Sequence, residues 1–150
     1  MVFDGPTKKA ANSMIEKAIV ISPDGYRYDI DGTEHKVGIG LVGENSLKGA
    51  KVIHNHTGPN ADSFSKEDFA EFFNLGLDTL EVAYNEKRHR IQWDKEVERL
   101  TNDEALDIYR DAWYAIHDEV TNKGERVQAE KYEIMLYLKK NLKGFRFYEL

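Results

Sequence analysis

The stretch that most constrains this chain lies between residues 50 and 76. Ala50-Lys51-Val52-Ile53-His54 is a strand-forming run, Thr57-Gly58-Pro59-Asn60-Ala61-Asp62 is turn chemistry throughout, and Ser65-Lys66-Glu67-Asp68 opens a helix that Gly76 closes. A strand, a loop and a helix must therefore meet in quick succession, with two histidines at the end of the strand. Side chains on an extended backbone alternate between faces, so His54 and His56 point to the same side. Both imidazoles can then reach one ion, and a carboxylate from the first turn of the following helix supplies a third ligand. Three protein ligands with one open position is the arrangement of a catalytic zinc.

Composition narrows the alternatives. With no cysteine in its 150 residues, the chain has no disulfide, no thiolate metal ligand and no cysteine nucleophile, so a metal must be held by histidines and carboxylates. A formal charge of −6 works against general affinity for nucleic acid, which depends on neutralising phosphates. The basic run Lys87-Arg88-His89-Arg90 and the cluster Lys139, Lys140 and Lys143 read as solvated turns and a helix C-terminus. No apolar run approaches the roughly 18 residues of a membrane span, and the N-terminus lacks the pattern of an export signal. The expectation is a cytoplasmic protein with no membrane partner and nucleic acid an unlikely one.

The flanking sequence predicts an α+β protein. Residues 6–17 carry Pro6, Ala10 and Met14 at helical positions. Ala18-Ile19-Val20-Ile21, the turn Ser22-Pro23-Asp24-Gly25 and Tyr26-Arg27-Tyr28-Asp29-Ile30 form a β-hairpin, and residues 36–42 form a glycine-weakened strand. After the central helix, with Phe69, Phe72, Phe73 and Leu75 on its apolar side, Thr79 to Tyr84 and His89 to Trp93 make a second hairpin around Asn85-Glu86-Lys87. Leu106, Tyr109, Trp113, Ile116 and Val120 then recur every three or four residues in a long helix reaching Gly124, entered through Thr101 to Glu104. A second helix, over residues 126–141 with Gly144 as its stop, completes a helical hairpin.

The ordered set His54-Asn55-His56, loop, Ser65-x-x-Asp68 resembles the JAMM (MPN or JAB domain) metalloprotease signature, and most of all its bacterial and phage branch, including RadC-like proteins and toxin or phage JAB domains. The resemblance covers residues 14–93. It implies a JAB/MPN-like (cytidine-deaminase-like) mixed sheet flanked by helices over residues 1–93, with residues 94–150 as a C-terminal helical extension packed on the same domain. It also implies zinc (Zn2+) on His54, His56 and Asp68, with Ser65 hydrogen-bonding the developing oxyanion. The family's upstream glutamate would be Glu16, which directly precedes a strand; Glu34 and Glu44, in turn-rich sequence, are weaker alternatives. That glutamate takes a proton from the attacking water and delivers it to the leaving amine. Thr57 stands where the family usually has proline, and the loop to Ser65 is one residue longer than common forms.

The function implied is zinc-dependent hydrolysis of a peptide or isopeptide bond in a protein or peptide substrate lying along a sheet edge. The alternative is a JAB-fold binding or structural module of phage, prophage or toxin origin, with a homodimer or partner engaged through the C-terminal helices. Tyr132, Tyr137, Phe145, Phe147 and Tyr148 are candidates for such a surface, although core packing is the commoner fate of aromatics. His35 and His89 read as surface histidines, and His117 as packing or solvent contact beside the apolar stripe of the long helix. An HNH nuclease is disfavoured, because that name describes residues dispersed over a ββα unit and the chain is acidic.

Overall fold

The computed structural model describes residues 15–32 and 47–150. The helix expected over residues 6–17 lies mostly outside this set, and the strand expected over residues 36–42 lies wholly outside it, together with Glu34, His35 and Glu44. The described elements are β1 (Lys17–Ile21), β2 (Arg27–Asp31), β3 (Lys51–Asn55), α1 (Lys66–Asn74), β4 (Thr79–Tyr84), β5 (Lys87–Trp93), α2 (Asn102–Asn122), α3 (Glu130–Asn141) and β6 (Phe145–Glu149). The strands form one mixed sheet in the order β2-β1-β3-β4-β5-β6. Every neighbouring pair is antiparallel except β3 and β4, which α1 connects as a parallel crossover.

Register explains how the sheet divides its two faces. Val20, Val52, Leu80, Ile91 and Phe147 occupy one row across five strands and all belong to the hydrophobic core, shared with Phe64, Phe69, Phe72, Phe73 and Tyr109. The next row on that face runs Ala18, His54, Val82 and His89. His54 is therefore one step beyond the core along β3, on the same face of the sheet. On the opposite face, buried Glu81 pairs with Arg88 (3.2 Å) and Arg90 (2.9 Å) of β5, which accounts for two charges of the basic run by an internal ion-pair cluster.

Local sequence sets the element ends. Gly25, at φ +89°, closes the first hairpin with its N–H on the Ser22 carbonyl at 2.9 Å. The second hairpin turns on two residues rather than three: Asn85 (φ 45°) and Glu86 (φ 62°) adopt the left-handed pair that matches strand twist, and Lys87 already pairs with Tyr84. Both α1 and α2 begin in capping boxes, Ser65 with Asp68 and Thr101 with Glu104.

The C-terminal region departs from a purely helical extension. Gly144, at φ +91°, does end the helical hairpin, but the next five residues add β6 to β5. Phe145 and Phe147 are buried and Arg146 and Tyr148 face outward, so an alternating pattern too short to stand out in sequence becomes the sixth strand. The two phenylalanines thus serve the core rather than a partner surface. α3 starts four residues later than the periodicity suggests, after Ala129 in a left-handed conformation (φ 42°). Among the described residues no helix is long and apolar enough to cross a membrane.

Candidate metal centre

The site forms where β3 ends. His54 lies within the strand, and the N–H of His56 still bonds the Ala83 carbonyl of β4 at 2.9 Å, so the extended geometry continues one residue past the last paired position. That continuation keeps both imidazoles on one face. The His54 Nδ1–H donates to the Glu81 carbonyl at 2.8 Å, and the His56 Nδ1–H donates to the Asp62 carbonyl at 2.7 Å. A carbonyl oxygen can only accept, so each Nδ1 carries the proton and each Nε2 is left with a lone pair when the ring is neutral.

Those two lone pairs converge on a third acceptor. The Nε2 atoms lie 3.2 Å apart, Asp68 Oδ1 is 3.3 Å from His54 Nε2, and Asp68 Oδ2 is 3.0 Å from His56 Nε2. His54, His56 and Asp68 are the one such ligand group found among the described residues. Tetrahedral zinc with bonds of about 2.0–2.1 Å requires its ligand atoms to be about 3.3 Å apart, so the donor set fits such an ion in both chemistry and spacing. Burial opposes charge on His56, but the hydrogen bond and charge of Asp68 outweigh it and raise the imidazole above its usual range. Burial likewise favours a neutral Asp68, yet His54 and His56 hold its carboxyl well below the usual range.

Asp68 has two structural roles at once. It sits in the first turn of α1, where the helix dipole favours negative charge, and its Oδ2 accepts the Ser65 N–H at 2.9 Å. Ser65 Oγ accepts the Asp68 N–H at 3.1 Å, which leaves its own hydroxyl hydrogen to donate elsewhere. The helix cap thereby orients the carboxylate that faces the histidines, and Ser65 is brought beside them.

Glu16 lines the same cleft, whose volume is about 590 Å3 and whose walls include His54, His56, Ser65 and Asp68. Its charge contributes to raising His56. Its backbone is held by Asn55, the residue between the two histidines. Asn55 points to the opposite face, is fully buried, accepts the Lys17 N–H through Oδ1 and donates Nδ2–H to the Ile15 carbonyl at 3.2 Å. The middle letter of the His-x-His pattern thus clamps the backbone on both sides of Glu16.

Some features had no sequence signal. Asp62 reads only as a loop residue, and Lys131, which joins the cleft wall from α3, comes from a region outside the matched stretch. His89 is not a surface histidine: it is 3% exposed, its Nδ1 lies 2.9 Å from Ser63 Oγ, and it packs against Tyr84, Tyr132 and Phe147. Alternation within β5 turned it inward. His117 stacks on Trp113 at 3.9 Å, and both side chains meet Glu130 Oε1, at 2.6 and 2.7 Å, which joins α2 to α3.

No family model matches the chain, and neither a curated protein nor a solved structure matches it. The functional reading therefore rests on the site's own chemistry.

Proposed function

We propose that the protein is a zinc-dependent peptidase or isopeptidase of the JAMM type, with His54, His56 and Asp68 as metal ligands. The observation that carries this reading is the convergence of two Nε2 lone pairs and one carboxylate, at 3.0–3.3 Å from one another, in a cleft that also holds Glu16 and Ser65. A buried cluster of three acceptors is costly unless a cation joins it.

Bound zinc would supply Lewis acidity, lowering the pKa of a water from 15.7 toward about 7 and polarising a carbonyl. Glu16 accepts a proton as water attacks the carbonyl carbon of the substrate. The Ser65 hydroxyl donates to the oxygen on which negative charge develops. The C–N bond then breaks, and Glu16 returns the proton to the departing amine, so that acid and amine leave with one water consumed. Asn55 holds the backbone from which Glu16 reaches into the cleft.

Metal analysis together with hydrolysis of a fluorogenic peptide library tests the reading. Wild type is expected to hold one zinc and to cleave, and Glu16→Gln to hold zinc without cleaving. Full activity in Glu16→Gln would remove Glu16 from the mechanism. Failure of wild type to take up zinc at saturation would favour a binding module.

A further inference from the structure

We propose that Asp62 is a positioning residue for the metal centre, through which the N-terminus of α3 sets the orientation of His56. This rests on the reading of His54, His56 and Asp68 as metal ligands.

The starting observation is a helix with no cap of its own. Ala129 precedes α3 in a left-handed conformation and makes no side-chain bond to the helix. Two of the N–H groups that the helix leaves unpaired are met from elsewhere. Lys131 N–H donates to Asp62 Oδ2 at 2.7 Å, and Tyr132 N–H donates to Asp62 Oδ1 at 3.2 Å, across about seventy residues of chain. A carboxylate at this end is also favoured by the helix dipole.

The same carboxylate fixes a peptide plane. Asp62 Oδ1 accepts the Ser63 N–H at 2.8 Å, and that N–H belongs to the peptide unit whose carbonyl is Asp62 O. Because a peptide unit is planar, holding its N–H fixes the direction of its C=O. That C=O is the acceptor of the His56 Nδ1–H at 2.7 Å. The carboxylate thus anchors to α3 on one side and aims a carbonyl at the imidazole on the other. Hydrogen bonds to the far nitrogen of a ligating histidine fix its tautomer and ring orientation, and their loss typically weakens metal binding about ten- to a hundredfold.

The test uses the full chain with cobalt(II) as probe, its affinity read from visible absorption. The tautomer of His56 in the metal-free protein is read by 1H–15N NMR at alkaline pH. Asp62→Ala is expected to bind cobalt about tenfold or more weakly and to lose the single Nδ1–H form of His56. Asp62→Asn, which keeps an oxygen for the Ser63 N–H, is expected to recover most of both. Thr101→Ala, which uncaps α2 at a residue bonded to Glu104 rather than to Asp62 or the three ligands, controls for stability and should lower the melting temperature while leaving cobalt affinity within about twofold. Asp62→Ser, with one acceptor left, carries the same test should the alanine variant fail to fold. Cobalt affinity within about twofold of wild type and an unchanged Nδ1–H in Asp62→Ala, or in Asp62→Ser where that variant stands in for it, would reduce Asp62 to a helix cap and overturn the proposal. A wild-type chain that takes up no cobalt would overturn the metal reading itself, and this role with it.

Discussion

Asp68 can be made to separate the helix cap from the metal site, because its neighbour Ser65 shares only the first of these tasks. In Asp68→Asn, the side-chain oxygen that remains can still accept the Ser65 N–H now bonded at 2.9 Å, so the capping box is largely preserved. What is lost is the negative charge facing two Nε2 atoms at 3.0 and 3.3 Å. In Ser65→Ala the reverse holds: the cap to the Asp68 N–H is gone, at a cost of about 1 kcal/mol, and all three ligands remain. A ligand present at 100 times its Kd stabilises the folded state by about 2.7 kcal/mol. For a chain of this length each kcal/mol moves the midpoint by about 2–4 °C. Saturating zinc should therefore raise the melting temperature of wild type by about 5–11 °C. Ser65→Ala should start about 2–4 °C lower and show nearly the same zinc-induced rise, whereas Asp68→Asn should show almost none. Thermal melts by circular dichroism with and without zinc make the comparison. An undiminished zinc response in Asp68→Asn would refute the assignment of Asp68 as a ligand and leave it as a cap alone.

Three further perturbations follow from the described geometry. Asn55→Ala removes both bonds that hold the backbone around Glu16; turnover of a cleaved peptide should fall at least tenfold while zinc affinity stays within about twofold, and a parallel loss of zinc would point to disruption of β3 instead. Burial lowers the His89 pKa below the usual imidazole value near 6.5. The unfolded state therefore takes up this proton first as pH falls, and stability declines from about pH 6.5 downward until the folded-state pKa is reached. Urea unfolding should show the stability of wild type falling relative to that of His89→Leu over that range, and wild type gaining on the variant as pH drops would contradict the buried neutral ring. Gly144→Ala places a Cβ at φ +91° and 3.0–3.1 Å from Trp93 and Val97; left-handed strain of about 1–2 kcal/mol plus the clash should lower the urea midpoint with an unchanged slope.

How much of this could be read before the fold was known depends on how far apart the partners lie in sequence. The hairpin around Ser22 to Gly25, β3 and the capped helix α1 are local events, each decided by residues within a turn or two of one another, and the sequence reading and the structure agree on them. The grouping of His54 with His56 follows from strand alternation, and its closure by Asp68 follows from a helix entry twelve residues later. β6 escaped because five residues with two inward phenylalanines carry little periodic signal, and the helix stop at Gly144 drew attention to an ending rather than to a new strand. The burial of His89 has as little local signal, since an imidazole beside arginines gives no hint that alternation turns it into an aromatic pocket while the arginines on either side meet buried Glu81.

The residues that hold the site in place are a different matter. Asn55 acts across 38 and 40 residues to reach the backbone flanking Glu16, and Asp62 acts across 69 and 70 to reach α3. Neither is exceptional in its own neighbourhood, because Asn and Asp are ordinary residues at a strand end and in a loop. Their importance comes from the side of the pattern that carries no chemistry of its own. Alternation that sends His54 and His56 into the cleft must send Asn55 to the opposite face, where it meets the strand leading from Glu16. Likewise the loop that lets the chain turn from β3 to α1 must bring a carbonyl against His56, and only a residue that is itself anchored can hold that carbonyl still. Adjacent positions thus divide the labour between proposed ligand and support, and the C-terminal helices, remote from the motif in sequence, become part of what holds His56, a proposed metal ligand, in place.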